Sequence, residues 1–427
     1  MPSGSVDPSA PCKRVAILGM YGQLNMGNEC TLQAFLTNLR RMCPDAEAFC
    51  ICPDPRDVSR RHRIAALQMS VGSSPVTNGR TASRLLSRFA PLTTRIRAFR
   101  WAYSHLARTS MLVVAGTGIF EENIGLSRGW LFDLLTWCIA ARLRRAYLAF
   151  VSIGAGPLHS PLARLAVKAA LRLGHYVSYR DRFSIDYMAS LGLATENHHI
   201  FPDLAFSLPL TELNVPSSAV STHHRIVGVG IMDYCGQRRA NRRTPEQYRV
   251  YLEKLAGFVG GLIGKGYGVK ILGGDAQYDP PVLLDLKERL KVLYPAGGLA
   301  EATFDTVEDL ISHLASVDAV VATRFHNLVL ALMLCKPTIS VSYHEKNEAL
   351  MESFGLVDAS QDVDKLEETE LERQLLRLTD TWQHHEPIVR ERLREFRRQL
   401  ECQYRTLFLG RLDGRSSDSS DVQDWKS

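Results

Sequence analysis

"DAVVATRFHNLVLALMLCKPTISVSY", residues 318–343, reads as a short apolar strand, a helix and a second apolar strand with almost no chain between them. The first strand ends at Ala322, and Thr323 is a suitable N-cap for a helix starting at Arg324. An apolar run from Leu328 to Leu334 fills that helix, Lys336-Pro337 stops it, and a β-type run follows. Strand, helix and strand in immediate succession form the unit of a parallel sheet. Arg324 and His326 stand out in a segment otherwise fit only for a core. Two residues apart on a helix is about 200° of rotation, so they share no lateral face, yet over the open N-terminal end they can converge. That end offers unpaired N–H groups and a positive dipole, and with a guanidinium and an imidazole it suits a phosphate or carboxylate. The plainer alternative pairs Arg324 with a nearby acid and leaves His326 as a satisfied core histidine.

The same grammar of an apolar strand closed by glycines recurs along the chain. "RVAILGMYG" (14–22), "MLVVAGTG" (111–118), "AYLAFVSIGAG" (146–156), "RIVGVGIM" (225–232) and "GVKILGGD" (268–275) all follow it, with helical segments between. The fold class expected is therefore α/β, with two Rossmann-like, doubly wound parallel domains. The N-terminal domain is expected over 12–207 and the C-terminal domain, with trailing helices, over 225–410. "LPLTELNVPSSAVSTHH" (208–224), polar and without periodicity, reads as the linker. Residues 56–110 fit the βα pattern poorly and read as a basic, partly amphipathic insertion. The Ser- and Asp-rich tail over 411–427 reads as disordered.

The chain has 427 residues, 45% hydrophobic and 22% charged, enough to bury two cores without covalent staples. A net charge of +6 suits an anionic substrate or an anionic membrane surface, and is too scattered for the concentrated stripe of a nucleic-acid binder. Nine cysteines at irregular spacing read as reduced thiols of a cytoplasmic protein, and no cluster has metal-ligand spacing. The N-terminus lacks the apolar core of a signal peptide. A basic amphipathic stretch over 84–106 is compatible with peripheral contact at the inner face of a membrane.

In an open parallel sheet, ligands sit beyond the carboxyl ends of the strands. The glycine-rich strand ends are therefore the places to look for chemistry, and the natural site is the cleft between the domains. "MYGQLNMGNECTLQAF" (20–35) could cradle a ligand through backbone N–H groups near Gly22, Asn25, Gly27 and Asn28. Gly116 and Gly118 of "VAGTG" and Gly154 and Gly156 of "SIGAGP" stand in similar loops. None of these loops has the spacing of a P-loop or a dinucleotide fingerprint. "YRDRFS" puts Arg180 at a strand end and "FPDLAFSLP" puts Asp203 in a loop, a pair that by itself reads as a surface ion pair.

Taken in order, "GMYGQLNMGNEC", "VVAGTGIF", "SIGAGPL", "SYRDRFSIDYMASLG", "FPDLAFSL" and "ATRFHNLVLALMLCKPTISVSYHEKNEALMESFGL" resemble the polysaccharide pyruvyl transferase family, over about residues 14–357. Phe325 replaces the family's usual leucine between Arg and His, and "GTG" stands where "GGG" is commoner. The resemblance implies the domain arrangement of GT-B glycosyltransferases. It also implies transfer of a pyruvyl group from phosphoenolpyruvate, as co-substrate, to a sugar as a ketal, with no cofactor. It implies a donor-binding set of Arg180, Arg324 and His326. His326 would also move a proton, with Asp203 and Glu29 as candidates for orienting or deprotonating the acceptor hydroxyl. The acceptor could be a sugar, a nucleotide sugar, a lipid-linked sugar or a polymer glycan. Two competing readings are a nucleotide-sugar glycosyltransferase of the same fold, with Glu345 or Glu348 on a ribose, and a sugar-phosphate or nucleotide-sugar binding protein without turnover.

Overall fold

A computed structural model describes residues 13–70, 92–120, 129–210, 225–234, 244–293, 299–301 and 305–409. Most of the expected linker (211–224), the tail beyond 409 and residues 71–91 of the expected insertion lie outside them.

The first half alternates β1 (Arg14–Leu18), α1 (Met26–Met42), β2 (Glu47–Cys52), α2 (Pro55–His62), β3 (Ala65–Gln68), α3 (Leu92–His105), β4 (Met111–Ala115), α4 (Trp130–Leu143), β5 (Tyr147–Ile153), α5 (Pro161–Leu173), β6 (Tyr176–Tyr179), α6 (Arg182–Ser190) and β7 (His199–Ile200). These strands form one sheet in the order β3-β2-β1-β4-β5-β6-β7, with parallel pairing throughout. The central strands are mostly apolar, as burial under helices on both faces requires: β4 is MLVVA, wholly buried.

The second half runs β8 (Ile226–Gly230), α7 (Pro245–Gly264), β9 (Gly268–Leu272), α8 (Asp279–Leu293), β10 (Leu299–Glu301), α9 (Val307–Ala315), β11 (Ala319–Ala322), α10 (Phe325–Met333), β12 (Thr338–Ser342), α11 (Glu345–Ser353), β13 (Ser360–Asp362) and α12 (Glu368–Phe408). Its sheet is also parallel, in the order β10-β9-β8-β11-β12-β13. In both sheets the strand order reverses beside the first strand, the place where an open α/β sheet leaves a crevice.

Two boundaries differ from the sequence reading. In the described part of 56–110, α2 and β3 continue the βα pattern, with β3 in register beside β2 from Phe49 opposite Ala65 to Cys52 opposite Gln68. Its arginines mask the apolar spacing because β3 is a half-exposed edge strand. The C-terminal domain also does not own its last helix. α12 is 41 residues long, and its final turns pack on the N-terminal domain. There Gln403 is fully buried, donating from Nε2 to Ser178 Oγ (2.8 Å) and accepting at Oε1 from Ser152 Oγ (3.1 Å). Tyr404 and Phe408 pack on Phe35 of α1. One apolar cluster consequently runs from β1 and α1 through Leu204–Phe206 into the second sheet and α12.

Candidate active site

The two domains meet where the carboxyl ends of β1 and β9 face each other. Met26 N donates to Gly274 O at 3.0 Å, Ala276 N to Leu24 O at 2.9 Å, and Asn25 Nδ2 to Asp275 Oδ2 at 3.2 Å. Asn25 also caps α1, accepting from Asn28 N, while Asn28 Nδ2 donates to Met20 O. These asparagines therefore build the loop rather than offering free groups to a ligand.

The decisive element is α10. It begins at Phe325, one residue later than the sequence suggests, and Arg324 rather than Thr323 holds the N-cap position, in an extended conformation. No side chain caps this helix, so its first N–H groups remain open toward the cleft. His326 crosses to the other domain and lies against Gly27, where an added Cβ would stand 2.1 Å from His326 Nδ1. Its Nε2 is 3.7 Å from Asp203 Oδ2, within ion-pair range but without a hydrogen bond, and that atom is buried with no partner. Asp203 sits at the start of a 3-10 turn, Leu204–Ser207, and accepts from Ala205 N at 3.0 Å.

Arg180 follows β6 and reaches the same carboxylate, Nη1 to Asp203 Oδ2 at 3.4 Å, and Asp181 Oδ2 through Nε at 3.3 Å. Both side chains of the Arg180–Asp203 pair are at most 3% exposed, so this is no surface pair. The Phe325 ring lies under the guanidinium, 4.9 Å from Arg180 Cζ, a cation–π contact between domains. Gly154 makes room for it: a Cβ there would stand 2.7 Å from Arg180 Cζ. Burial pushes the Asp203 carboxyl up, but His326 and Arg180 outweigh it and bring it down to about 2. Asp203 thus stays ionised between a histidine and an arginine. A carboxylate that acidic is a weak general base, and it is suited instead to orienting His326.

Arg324 answers to the plainer of its two readings. Nε donates to Asp279 Oδ2 at 2.7 Å, Nη2 donates to Asp279 Oδ1, and Asp275 Oδ2 is 3.9 Å from Nη2. Burial opposes its charge, and the two carboxylates more than restore it. Asp279 also accepts from Gly274 N (2.8 Å) and Asp275 N (2.9 Å), so the pair pins the β9–α8 loop to the start of α10. A donor-anchoring role for Arg324 would require giving up a bidentate partner. Asp275 and Asp279 escaped the sequence reading, although "GGDAQYD" places two acids four residues apart after a strand.

Glu29 is not part of this site. Its Oε1 accepts from Gly22 N at 2.8 Å and its Oε2 contacts His62 Nε2 at 2.7 Å, and it faces a cavity of about 370 Å³ that Arg180, Asp203 and His326 do not line. Four of the N–H groups of the expected glycine cradle are used internally. Gly22 donates to Glu29, Gly116 to Val151 O, Gly154 to Thr117 O and Gly156 to Phe120 O. Gly118 stands in the loop after β4. Beside it, Thr117 holds a positive φ of 64°, strained for a β-branched residue. Glu345 and Glu348 are exposed on α11, and Glu348 Oε1 accepts from Ser342 Oγ.

Unused polar capacity concentrates at the cleft. Of seven buried side-chain polar atoms without a hydrogen-bond partner among the described residues, four belong to Thr117, His326, Asn327 and Asn347. All four stand on loops or helix starts around the mouth of β4, β11 and β12. Buried polar atoms are normally paired, so each of these four is an exception to the usual bonding.

A sequence profile of the family described as polysaccharide pyruvyl transferase matches residues 25–345. The chain belongs to the polysaccharide pyruvyl transferase family. That range contains Gly27, Arg180, Asp203, Arg324 and His326. No curated protein matches the chain. Among solved structures, the UDP-GlcNAc 2-epimerase of Neisseria meningitidis bound to UDP-GlcNAc is similar at TM-score 0.58 and 8% identity, over 88% of this chain and 94% of that one. The UDP-GlcNAc 2-epimerase of Methanocaldococcus jannaschii is similar at TM-score 0.56 and 12% identity, over 85% and 92%. Anabaena HepE in complex with UDP-glucose is similar at TM-score 0.55 and 13% identity, over 94% and 99%. At such identities these similarities speak for the fold alone, two Rossmann-like domains in a GT-B-like arrangement.

Two predictions test the geometry. Gly27→Ala should push the His326 imidazole out of place or wedge the domains apart, lowering turnover at least about tenfold while the protein stays folded. Normal turnover of a folded Gly27→Ala protein would contradict the contact. Asp203, held at about 2 against an ordinary 3.8, contributes stability that is present above its unfolded value and lost as pH falls through about 2. Denaturant unfolding of wild type and Asp203→Asn should therefore differ by about 2 kcal/mol at neutral pH, the gap closing as pH drops from about 4 to about 2. A gap independent of pH would refute the charged role.

Proposed function

We propose that this family member transfers a pyruvyl group from phosphoenolpyruvate to a sugar or glycan acceptor, forming a ketal and releasing phosphate. The observation that carries the reading is the uncapped start of α10 with His326 Nε2, beside it, making no hydrogen bond, and the buried Arg180 guanidinium opposite. An anion that enters there meets open backbone N–H groups, a guanidinium and an imidazole. Among the described residues Arg180 holds two carboxylates at 3.3 and 3.4 Å, contacts for which a donor carboxylate or phosphate can exchange. Arg324 keeps the helix start in place through Asp279 and acts as a positioning residue.

The chemistry asked of the site is a proton and a charge. The methylene carbon of phosphoenolpyruvate takes a proton and becomes a methyl group, leaving oxocarbenium character at C2. One sugar hydroxyl adds to C2, its proton replacing the one given to the methylene carbon, and the C2–O bond to phosphate breaks. The second hydroxyl then closes the ketal, and its proton leaves with the phosphate. Histidine is the side chain able to give and take a proton near neutrality, and Asp203 would stabilise the charged imidazole as it forms.

The reading is tested by incubating the full-length protein with phosphoenolpyruvate and a panel of glycosides, glycans and lipid-linked sugars. Phosphate release matched by an acceptor that has gained one pyruvyl ketal supports it. Transfer of a sugar from a nucleotide sugar, with phosphoenolpyruvate untouched, would replace it with the glycosyltransferase reading.

A further inference from the structure

Ten large hydrophobic side chains stand well exposed among the described residues, and five of them fall on three neighbouring helices of the N-terminal domain. They are Ile96 of α3, Ile139 and Leu143 of α4, and Leu162 and Leu165 of α5, between 38% and 63% exposed. Isolated exposed apolar residues are ordinary, but a contiguous set is not. The spacing makes each helix contribute an outward stripe: Ile139 and Leu143 are one turn apart, as are Leu162 and Leu165. α4 explains its own stripe, because WLFDLLTWCIAARL is apolar around most of its circumference, with half-buried Phe132 and Leu135 leading toward Ile139.

Charge on the same helices is predominantly positive. α3 carries three arginines and no acid, and α5 carries two arginines, one lysine and no acid. In α4 the single acid, Asp133, lies half-buried against Arg95 and Ser70. Arg97, Arg100 and Arg172 are exposed and form no ion pair among the described residues.

We infer that the outer face of α3, α4 and α5 docks on an anionic lipid bilayer, its apolar stripes entering the interface and its arginines meeting the headgroups. Apolar side chains set among basic residues on a helix face suit that interface. A second copy of the chain fits poorly, since a two-fold pairing would set these unpaired arginines against their own images. No described helix is long and apolar enough to cross a membrane, so the contact is peripheral. Leu162 and Leu165 occupy the first turns of α5, directly after the loop whose Gly154 makes room for Arg180. The docked face therefore reaches the cleft side of the domain.

The test is cosedimentation of the full-length protein with vesicles of phosphatidylcholine, with and without phosphatidylglycerol. Binding should require phosphatidylglycerol, and should fall at least about tenfold both in Leu143→Glu/Leu165→Glu and in Arg97→Glu/Arg172→Glu, with unchanged circular dichroism. Absence of vesicle binding, or binding that both variants retain, would overturn the inference. A dimer split by Leu143→Glu/Leu165→Glu in a protein that ignores vesicles would overturn it too, assigning the face to self-association. None of these outcomes depends on which group the enzyme transfers.

Discussion

His326→Asn is expected to lower turnover by about a hundredfold to ten-thousandfold while changing the affinity for phosphoenolpyruvate less than about tenfold. Asparagine keeps a polar side chain at the start of α10 and leaves the N–H groups of the helix open, so an anion can still bind. It cannot carry a proton. His326 Nε2 is the buried atom without a hydrogen bond, 3.7 Å from a carboxylate kept ionised, which is the surrounding a proton-moving imidazole needs. Steady-state rates of phosphate release, with donor affinity measured separately, distinguish the roles. A loss confined to affinity would make His326 an anchor only.

Asp279→Ala should cost about 3–5 kcal/mol of stability, the largest structural effect expected of a single residue near the cleft. The substitution leaves the Arg324 guanidinium buried without its bidentate partner and frees Gly274 N and Asp275 N. The double variant Asp279→Leu/Arg324→Met removes both charges and should recover much of that loss, because an apolar pair of similar volume replaces a buried ion pair at little cost. Denaturant unfolding of the three proteins measures this. Equal destabilisation of single and double variants would mean that the guanidinium matters for something other than answering Asp279. If the refolded double variant still binds phosphoenolpyruvate, Arg324 positions α10 without touching the donor.

The fold was legible because each domain repeats one short pattern. "DAVVATRFHNLVLALMLCKPTISVSY" leaves no room for any connection other than strand, helix, strand, and both sheets are parallel as that pattern requires. Periodicity misled where burial was incomplete. β3 alternates weakly among arginines since it is a sheet edge, and the last turns of α12 look like a trailing surface helix because the partners of Gln403 lie more than 200 residues away.

For the site, the residue types were readable and their partners were not. Arg180 and Asp203 come from two loops and His326 from the first turn of α10, and only the meeting of the domains puts one carboxylate between the other two. Gly27 and Gly154 have a role that only the structure shows, since an imidazole and a guanidinium lie where a side chain would stand. The acid that neutralises Arg324 stands 45 positions away, on another loop, and periodicity carries no information about that pairing.

The most direct test is titration calorimetry of the purified protein with phosphoenolpyruvate, with UDP-glucose as the comparison ligand, repeated on Arg180→Ala. Phosphoenolpyruvate should bind, and its affinity should fall about a hundredfold when the guanidinium opposite α10 is removed. Binding of phosphoenolpyruvate that ignores Arg180→Ala, or binding of UDP-glucose alone, would contradict a donor anion held between Arg180 and the start of α10.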